Sequence, residues 1–256
     1  MTLTRIFPYL LLLLPCLLFA DPEMTSTTSD AAFQLEGPSV ITKMAVLAGL
    51  SILPFAIMLL TSFVKIVIVL ALLRNALGVQ QSPPNQVLNG IALLMTIYVM
   101  FPTGLAMYNA AKPVIDKAPN ALFSDQSATY LLEIVDRSKE PLRTFLINNS
   151  YQKNMNGFYK IAYKIFPEPF KSSLTHKDFI ILIPSFITSQ LKSAFEIGVL
   201  IYLPFFVIDL VTSNILLAMG MMMLSPLTIA LPIKLLLLVM VDGWTLLIQG
   251  LTLTFR

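Results

Sequence analysis

The chain has 256 residues, 56% of them hydrophobic and only 12% charged, with a formal charge of +3 and a mean hydropathy of +0.79. Soluble domains carry about 25% charged residues, so this composition marks an integral membrane protein. The basic residues are scattered, with no run that would suggest nucleic acid.

Residues 1–20 read as a secretory signal. Arg5 supplies the positive start, residues 9–18 a short apolar core, and Ala20 a cleavage site before Asp21. The apolar core is too short for an ordinary spanning helix. Leu18 is a poor residue at a position that favours small side chains, which leaves an uncleaved anchor as the other reading. The one cysteine, Cys16, lies in this segment, and Pro15 before it argues against a lipoprotein. Removal of the signal leaves no thiol, so disulfides and cysteine metal sites are excluded from the mature chain. Residues 21–43 begin as a polar, acidic stretch with Asp21, Glu23, Asp30 and Glu36, read as an exported linker.

An N-terminal helical hairpin is expected over residues 44–110. Its first apolar stretch, residues 44–77, exceeds the roughly 20 residues a bilayer needs, so it must bend, tilt or leave the membrane, with Pro54 the expected kink. Gly78 suits a left-handed residue after a helix end. Pro83 and Pro84 cannot continue a helix, and Asn85 is expected to cap the next one, residues 87–107.

Residues 109–178 hold ten of the 17 Lys and Arg and seven of the 14 Asp and Glu. Prolines 113, 119, 141, 167 and 169 are expected to divide this segment, and residues 128–145 suit an amphipathic helix with Leu131, Leu132, Ile134, Val135 and Leu142 on its apolar side. The reading is a small soluble insertion, residues 111–178, on the outer side of the membrane. Its basic excess argues weakly the other way, but long segments translocate largely regardless of charge.

Residues 179–256 are apolar again. They predict a kinked helix over 179–211, a shorter helix into a turn, and a last helix over 233–253. The turn is Met219-Gly220-Met221-Met222-Met223, followed by Leu224-Ser225-Pro226. Methionine is unbranched and repacks around different neighbours. The cluster therefore reads either as a deformable constriction or as a methionine-rich core turn.

Charges inside the apolar stretches are Lys65, Lys192, Glu196, Asp209, Lys234 and Asp242. Each costs a few kcal/mol or more at a bilayer centre, and equal numbers of each sign suggest pairing. Lys192 and Glu196 are four apart on one helix face and suit a local pair. Lys234 and Asp242 are eight apart, roughly 12 Å along a helix, so their partners must come from other helices or other chains. Structural ion pairs are favoured over a proton or ion pathway, because proton relays group acids and histidines. His176 is the only histidine, beside Lys177 and Asp178, and reads as a solvated surface residue. No hydrolase, metalloprotease or nucleotide-binding motif is present, and no cofactor or metal is expected.

Matched in order, several blocks resemble the FliP/SctR family of type III secretion export-gate proteins. They are Leu53-Pro54-Phe55, Thr61-Ser62-Phe63-Val64-Lys65-Ile66, Leu72-Leu73-Arg74-Asn75-Ala76-Leu77-Gly78 and Pro83-Pro84-Asn85. Further along come Ile183-Pro184-Ser185-Phe186, Leu191-Lys192-Ser193-Ala194-Phe195-Glu196-Ile197-Gly198, Leu203-Pro204-Phe205 and Ile208-Asp209-Leu210-Val211. The methionine turn, Leu231-Pro232-Ile233-Lys234-Leu235 and Val241-Asp242-Gly243-Trp244 complete the set. The matching blocks fall within residues 44–110 and 179–256.

The resemblance implies an all-α membrane protein of two helical hairpins with kinked long helices and a small helical insertion, assembling into a helical oligomeric channel. It implies a non-enzymatic subunit of the export gate in the bacterial inner membrane; the signal and the acidic linker put the mature N-terminus on the periplasmic side. Implied partners are further copies, as a pentamer, FliQ/SctS-like and FliR/SctT-like subunits, FlhA/SctV- and FlhB/SctU-like components, and unfolded protein substrates. Met219, Met221, Met222 and Met223 match the family's pore gasket. Leu224-Ser225-Pro226 departs from the family, many members of which carry a second proline there, and this bears on the stiffness of the loop's exit. Lys65, Arg74, Lys192, Glu196, Asp209, Lys234 and Asp242 are expected to make interhelix or intersubunit polar contacts. Lys65 with Gln80-Gln81 resembles the injectisome branch, whereas a cleavable signal is more familiar in the flagellar one; the resemblance leans to the injectisome. A small-solute or ion transporter would show inverted repeats and polar clusters, and a membrane enzyme a catalytic constellation; neither is visible.

Overall fold

The computed structural model describes residues 40–79, 82–116, 125–221 and 223–255. The signal segment, most of the acidic linker, Gln80-Gln81 and Met222 lie outside them. The described residues form α-helices joined by short turns, with no strand among them. In chain order the helices are α1 (Val40–Leu60), α2 (Phe63–Leu77), α3 (Asn85–Ile115), α4 (Asp125–Asn148), α5 (Gln152–Ile165), α6 (Phe170–Ser173), α7 (Phe179–Ala218), α8 (Pro226–Met240) and α9 (Gly243–Leu253).

The first apolar stretch breaks at Thr61-Ser62 rather than at Pro54, which sits inside α1. The segment Pro54–Leu60 meets Phe63–Leu77 at 72°. The Thr61 hydroxyl donates to the Ile57 carbonyl at 2.6 Å, and such side-chain bonds compete with the helical ladder and bend it. Proline removes only one ladder bond, and α1 runs through Pro54 on an exposed turn. At the other end of α2, Gly78 has φ +79° and its N–H reaches the Asn75 carbonyl at 3.0 Å, the expected left-handed stop. Asn85 is not a cap: Pro84 occupies that position, and Asn85 Oδ1 accepts from Arg74 instead.

Prolines 102 and 113 lie inside α3, and Pro141 inside α4, without ending either helix. The pair Pro167 and Pro169 does separate α5 from α6. On α4, Ile134 and Leu142 are half-buried, but Val135 is exposed. The side chains of Leu131 and Leu132 lie outside the described residues.

Helix α7 is longer than its sequence pattern suggests. It runs unbroken for 40 residues through Pro184 and Pro204, absorbing the short helix expected before the methionine turn. The final helix is instead two pieces, α8 and α9, bent by 63°. The break falls at Asp242, whose φ of +50° is left-handed, a conformation that aspartate tolerates better than most residues.

Helix α7 is the spine. Its first third holds the insertion helices: Leu182 and Phe186 pack with Phe145, Leu146 and Met155, and the Phe145 and Phe186 rings lie 5.9 Å apart at 55°. Further along, Ala194 packs with Val69 of α2 and Leu251 of α9. Phe205 joins Leu73, Ala76 and Leu77 of α2 and Leu238 of α8. Helix α2 lies closest to α7 where Gly198 faces Leu72; a Cβ at 198 would collide with that side chain. On its other side α2 packs against α3 through Ile66, Leu70, Leu88 and Ala92.

Helices α3 and α7 are long and apolar enough to cross a membrane, and counting each bent pair as one span gives up to four. At 1.5 Å per residue, α7 is roughly 60 Å long, about twice the hydrocarbon thickness. It cannot lie along the bilayer normal with both ends in the core. Apolar side chains also cover its outer surface, with Val199, Leu200, Leu203, Val207 and Leu210 exposed. Patches of this extent on a helix mark lipid or subunit contact.

Candidate functional site

The methionine turn sits where α7 hands over to α8. Its geometry is a Schellman cap: Met221 N–H reaches the Leu216 carbonyl at 3.0 Å and Gly220 N–H the Leu217 carbonyl at 3.1 Å. Gly220 carries φ +71°, where a side chain would be strained. The turn ends at Ser225, after which Pro226 occupies the first position of α8, where its fixed φ and missing N–H are no penalty. The stop at Gly220 and the restart at Pro226 are thus both set by backbone chemistry, with Met221 and Met223 between them.

Those methionines belong to no core cluster among the described residues. Met219 is 63% exposed, Met221 45% and Met223 fully exposed. The core-turn reading therefore fails within the protomer. Adaptable apolar side chains exposed at a helix-to-helix turn suit a surface that must press against changing neighbours.

The charged residues resolve into separate contacts. Lys234 is 2% exposed, and its Nζ donates to Asp209 Oδ2 of α7 at 2.7 Å and to the Ala76 carbonyl of α2 at 3.0 Å. Ala76 is in the last turn of α2, where carbonyls have no partner along the helix and a cation is favoured by the helix dipole. One ammonium thus joins α2, α7 and α8. Lys192 and Glu196 form the expected local pair, loosely, at 3.6 Å with both side chains more than half exposed. Tyr151 joins them: its hydroxyl donates to Glu196 at 3.3 Å, and Lys192 lies over its ring at 5.0 Å.

Arg74 braces the hairpin tip, donating through Nη1 to the Pro83 carbonyl and to Asn85 Oδ1. Asp242 accepts from the Thr245 hydroxyl at 2.9 Å and has no cationic partner among the described residues. Lys65 is buried, donates to Thr254 Oγ1 at 3.0 Å and lies 4.3 Å from the centre of the Phe255 ring. It too has no opposite charge within ion-pair distance among the described residues.

Sequence reasoning passed over a buried polar row on α7. Ser185, Ser189 and Gln190 are all at most 2% exposed. Three hydrogen-bonding side chains at i, i+4 and i+5 in an apolar helix were the available signal. Ser189 Oγ accepts from Tyr151 N–H at 3.0 Å and Asn154 Nδ2 at 2.9 Å, and donates to the Ser185 carbonyl. This row fastens the start of α5 to the spine.

His176 is exposed and stacks on Tyr159, ring centres 3.8 Å apart. Among the described residues no cluster of histidine, cysteine or carboxylate could hold a metal ion.

A family model described as the FliP family matches residues 46–251. The hypersensitivity response secretion protein HrcR of Ralstonia nicotianae is 42% identical over 208 residues, 81% of this chain and 94% of that protein. The Yop proteins translocation protein R of Yersinia pestis is 44% identical over 220 residues, 85% of this chain and 97% of that protein. The flagellar biosynthetic protein FliP of Buchnera aphidicola is 41% identical over 257 residues, 98% of this chain and 63% of that protein.

Proposed function

From the premise that this chain belongs to the FliP family, we propose that it is a non-enzymatic subunit of a type III secretion export gate. In this reading it sits in the bacterial inner membrane, mature N-terminus on the periplasmic side. Copies of it, as a pentamer, assemble with FliQ/SctS-like and FliR/SctT-like subunits around the entrance through which unfolded proteins leave. FlhA/SctV- and FlhB/SctU-like components and other parts of the machine supply control and energy.

The observation that carries the reading is the family match along residues 46–251, with the methionine turn inside it. Exposed Met219, Met221 and Met223 at the turn between α7 and α8 support a gasket role, with Met222 assigned to it by sequence. Thioethers close against varied side chains without selecting among them. The open apolar flanks of α3 and α7 support assembly, because a neighbour or lipid must cover them. The injectisome branch is preferred on Lys65 with Gln80-Gln81. The transporter reading is not favoured, because the matched relatives are named for secretion and flagellar biosynthesis.

The test is the native mass of the complex, co-expressed with its neighbouring membrane genes and extracted in mild detergent. A single large assembly with several copies of this chain and two other small hydrophobic subunits is expected. A stable monomer or dimer without them would refute the reading.

A further inference from the structure

We propose that the polar cavity walled by α2, the α4–α5 junction, α7 and Thr254 is an anion seat that takes a carboxylate from an adjoining subunit. The inference rests on the assembly reading for the source of the carboxylate, though not for the seat itself.

The cavity measures about 400 Å³ and is lined by Lys65, Ser189, Gln190, Ser193 and Thr254, with Tyr151 at its rim. Lys65 is 3% exposed and is the only cation among the described residues that line the cavity. An ammonium has three N–H donors, and among the described residues this one makes a single hydrogen bond, to Thr254 Oγ1 at 3.0 Å. The Thr254 hydroxyl is itself committed as a donor to the Leu251 carbonyl at 2.6 Å, so it accepts from Lys65. A second buried group is also unfinished. Gln190 is 2% exposed; its Nε2 donates to the Asn149 carbonyl at 2.7 Å, while its Oε1 is buried without a partner.

Taking an ammonium out of water costs several kcal/mol; the Thr254 hydroxyl and the face of the Phe255 ring at 4.3 Å offset part of it but bring no negative charge. Two other lysines of the apolar helices meet carboxylates: Lys234 meets Asp209, and Lys192 meets Glu196. Glu196 is turned toward Lys192 and Tyr151, so the protomer's described residues supply no anion to Lys65. A cavity of this size admits a carboxylate together with water, and such a water can donate to Gln190 Oε1. Ser189 is already saturated by Tyr151, Asn154 and Ser185, which holds the wall in place before anything binds.

The experiment compares wild type, Lys65→Met and Lys65→Arg as assembled complexes and as isolated protomers in mild detergent. Dissociation on dilution is followed by native mass, and protomer stability by thermal unfolding. If a subunit side chain fills the seat, Lys65→Met weakens association about a hundredfold or more. Lys65→Arg stays within about tenfold, and the protomer's unfolding midpoint does not fall with Lys65→Met. If a free anion fills it, association is unchanged, but acetate raises the wild-type midpoint above chloride at equal ionic strength and does nothing for Lys65→Met. The seat then stands and the adjoining subunit is ruled out as its source. Lys65→Met without effect in either arm overturns the proposal. So does Lys65→Met that destabilises the protomer as much as the complex, which would make Lys65 a packing residue. Failure of the wild-type chain to assemble would refute the assembly reading, and the acetate arm would still decide the seat.

Discussion

Removing Asp209 should harm the protein more than removing its partner Lys234. The two are bonded at 2.7 Å but unequally buried: the Lys234 side chain is 2% exposed and that of Asp209 37%. Asp209→Ala strands an ammonium that has no route to water. Breaking a buried pair in this way costs about 3–5 kcal/mol. Lys234→Met leaves a carboxylate at the protomer's surface rather than in its core, fills the site with an apolar chain of similar length, and leaves the Ala76 carbonyl without its donor. That orphaned acceptor costs about 1–3 kcal/mol, partly offset by the methionine's burial. The double variant Asp209→Ala/Lys234→Met should therefore resemble Lys234→Met alone, because the stranded charge is gone. The assay is unfolding of the purified chain in mild detergent. At about 2–4 °C per kcal/mol for a chain of this size, Asp209→Ala should lower the midpoint by roughly 10 °C and the other two by about half as much. If Lys234→Met is the more damaging single change, or if the two losses simply add, the buried-charge account is wrong.

Three further outcomes are expected. Replacing Met221, Met222 and Met223 with alanine or glycine should make closed complexes leak small solutes, and wild-type conductance would refute the gasket. Gly198→Val should lose about 1–3 kcal/mol by overpacking against Leu72, with Leu72→Ala recovering part of it; a double variant worse than the sum of its parts would count against that contact. Asp242→Asn keeps the left-handed residue and the bond from Thr245 but removes the charge, so it should lower the yield of assembled complexes while transit per complex is unchanged. Normal complexes with lost secretion would instead favour a pathway role.

What the sequence made legible was mostly local. The stop at Gly78 needs only a residue free of Cβ strain and a chain that cannot continue, and both are visible in a few letters. The membrane class follows from composition, and the Lys192–Glu196 pair from spacing. Helix breaks are less legible because proline is a poor guide to them in this chain: α1, α3, α4, α7 and α8 all carry prolines inside them. The actual breaks fall at Thr61-Ser62, where a hydroxyl competes for a carbonyl, and at Asp242-Gly243, a turn signal hidden by its apolar flanks. The partner of Lys234 could not be read at all, since Asp209 and the Ala76 carbonyl are brought to it only by the packing of α2, α7 and α8. The same holds for the Lys65 cavity, whose walls come from distant parts of the chain.

The bond from Lys234 to the Ala76 carbonyl joins residues 158 positions apart. At about 5–20 residues per second, roughly 8–32 s of synthesis separate the two. During that interval the end of α2 is finished but not closed, and over its last 25 residues Asp209 waits without its cation. The N-terminal half of the chain must therefore be held in the membrane in a provisional state until α8 emerges. A truncation before α8 should be recognised by quality-control proteases as an orphan, even though every apolar stretch before it is complete.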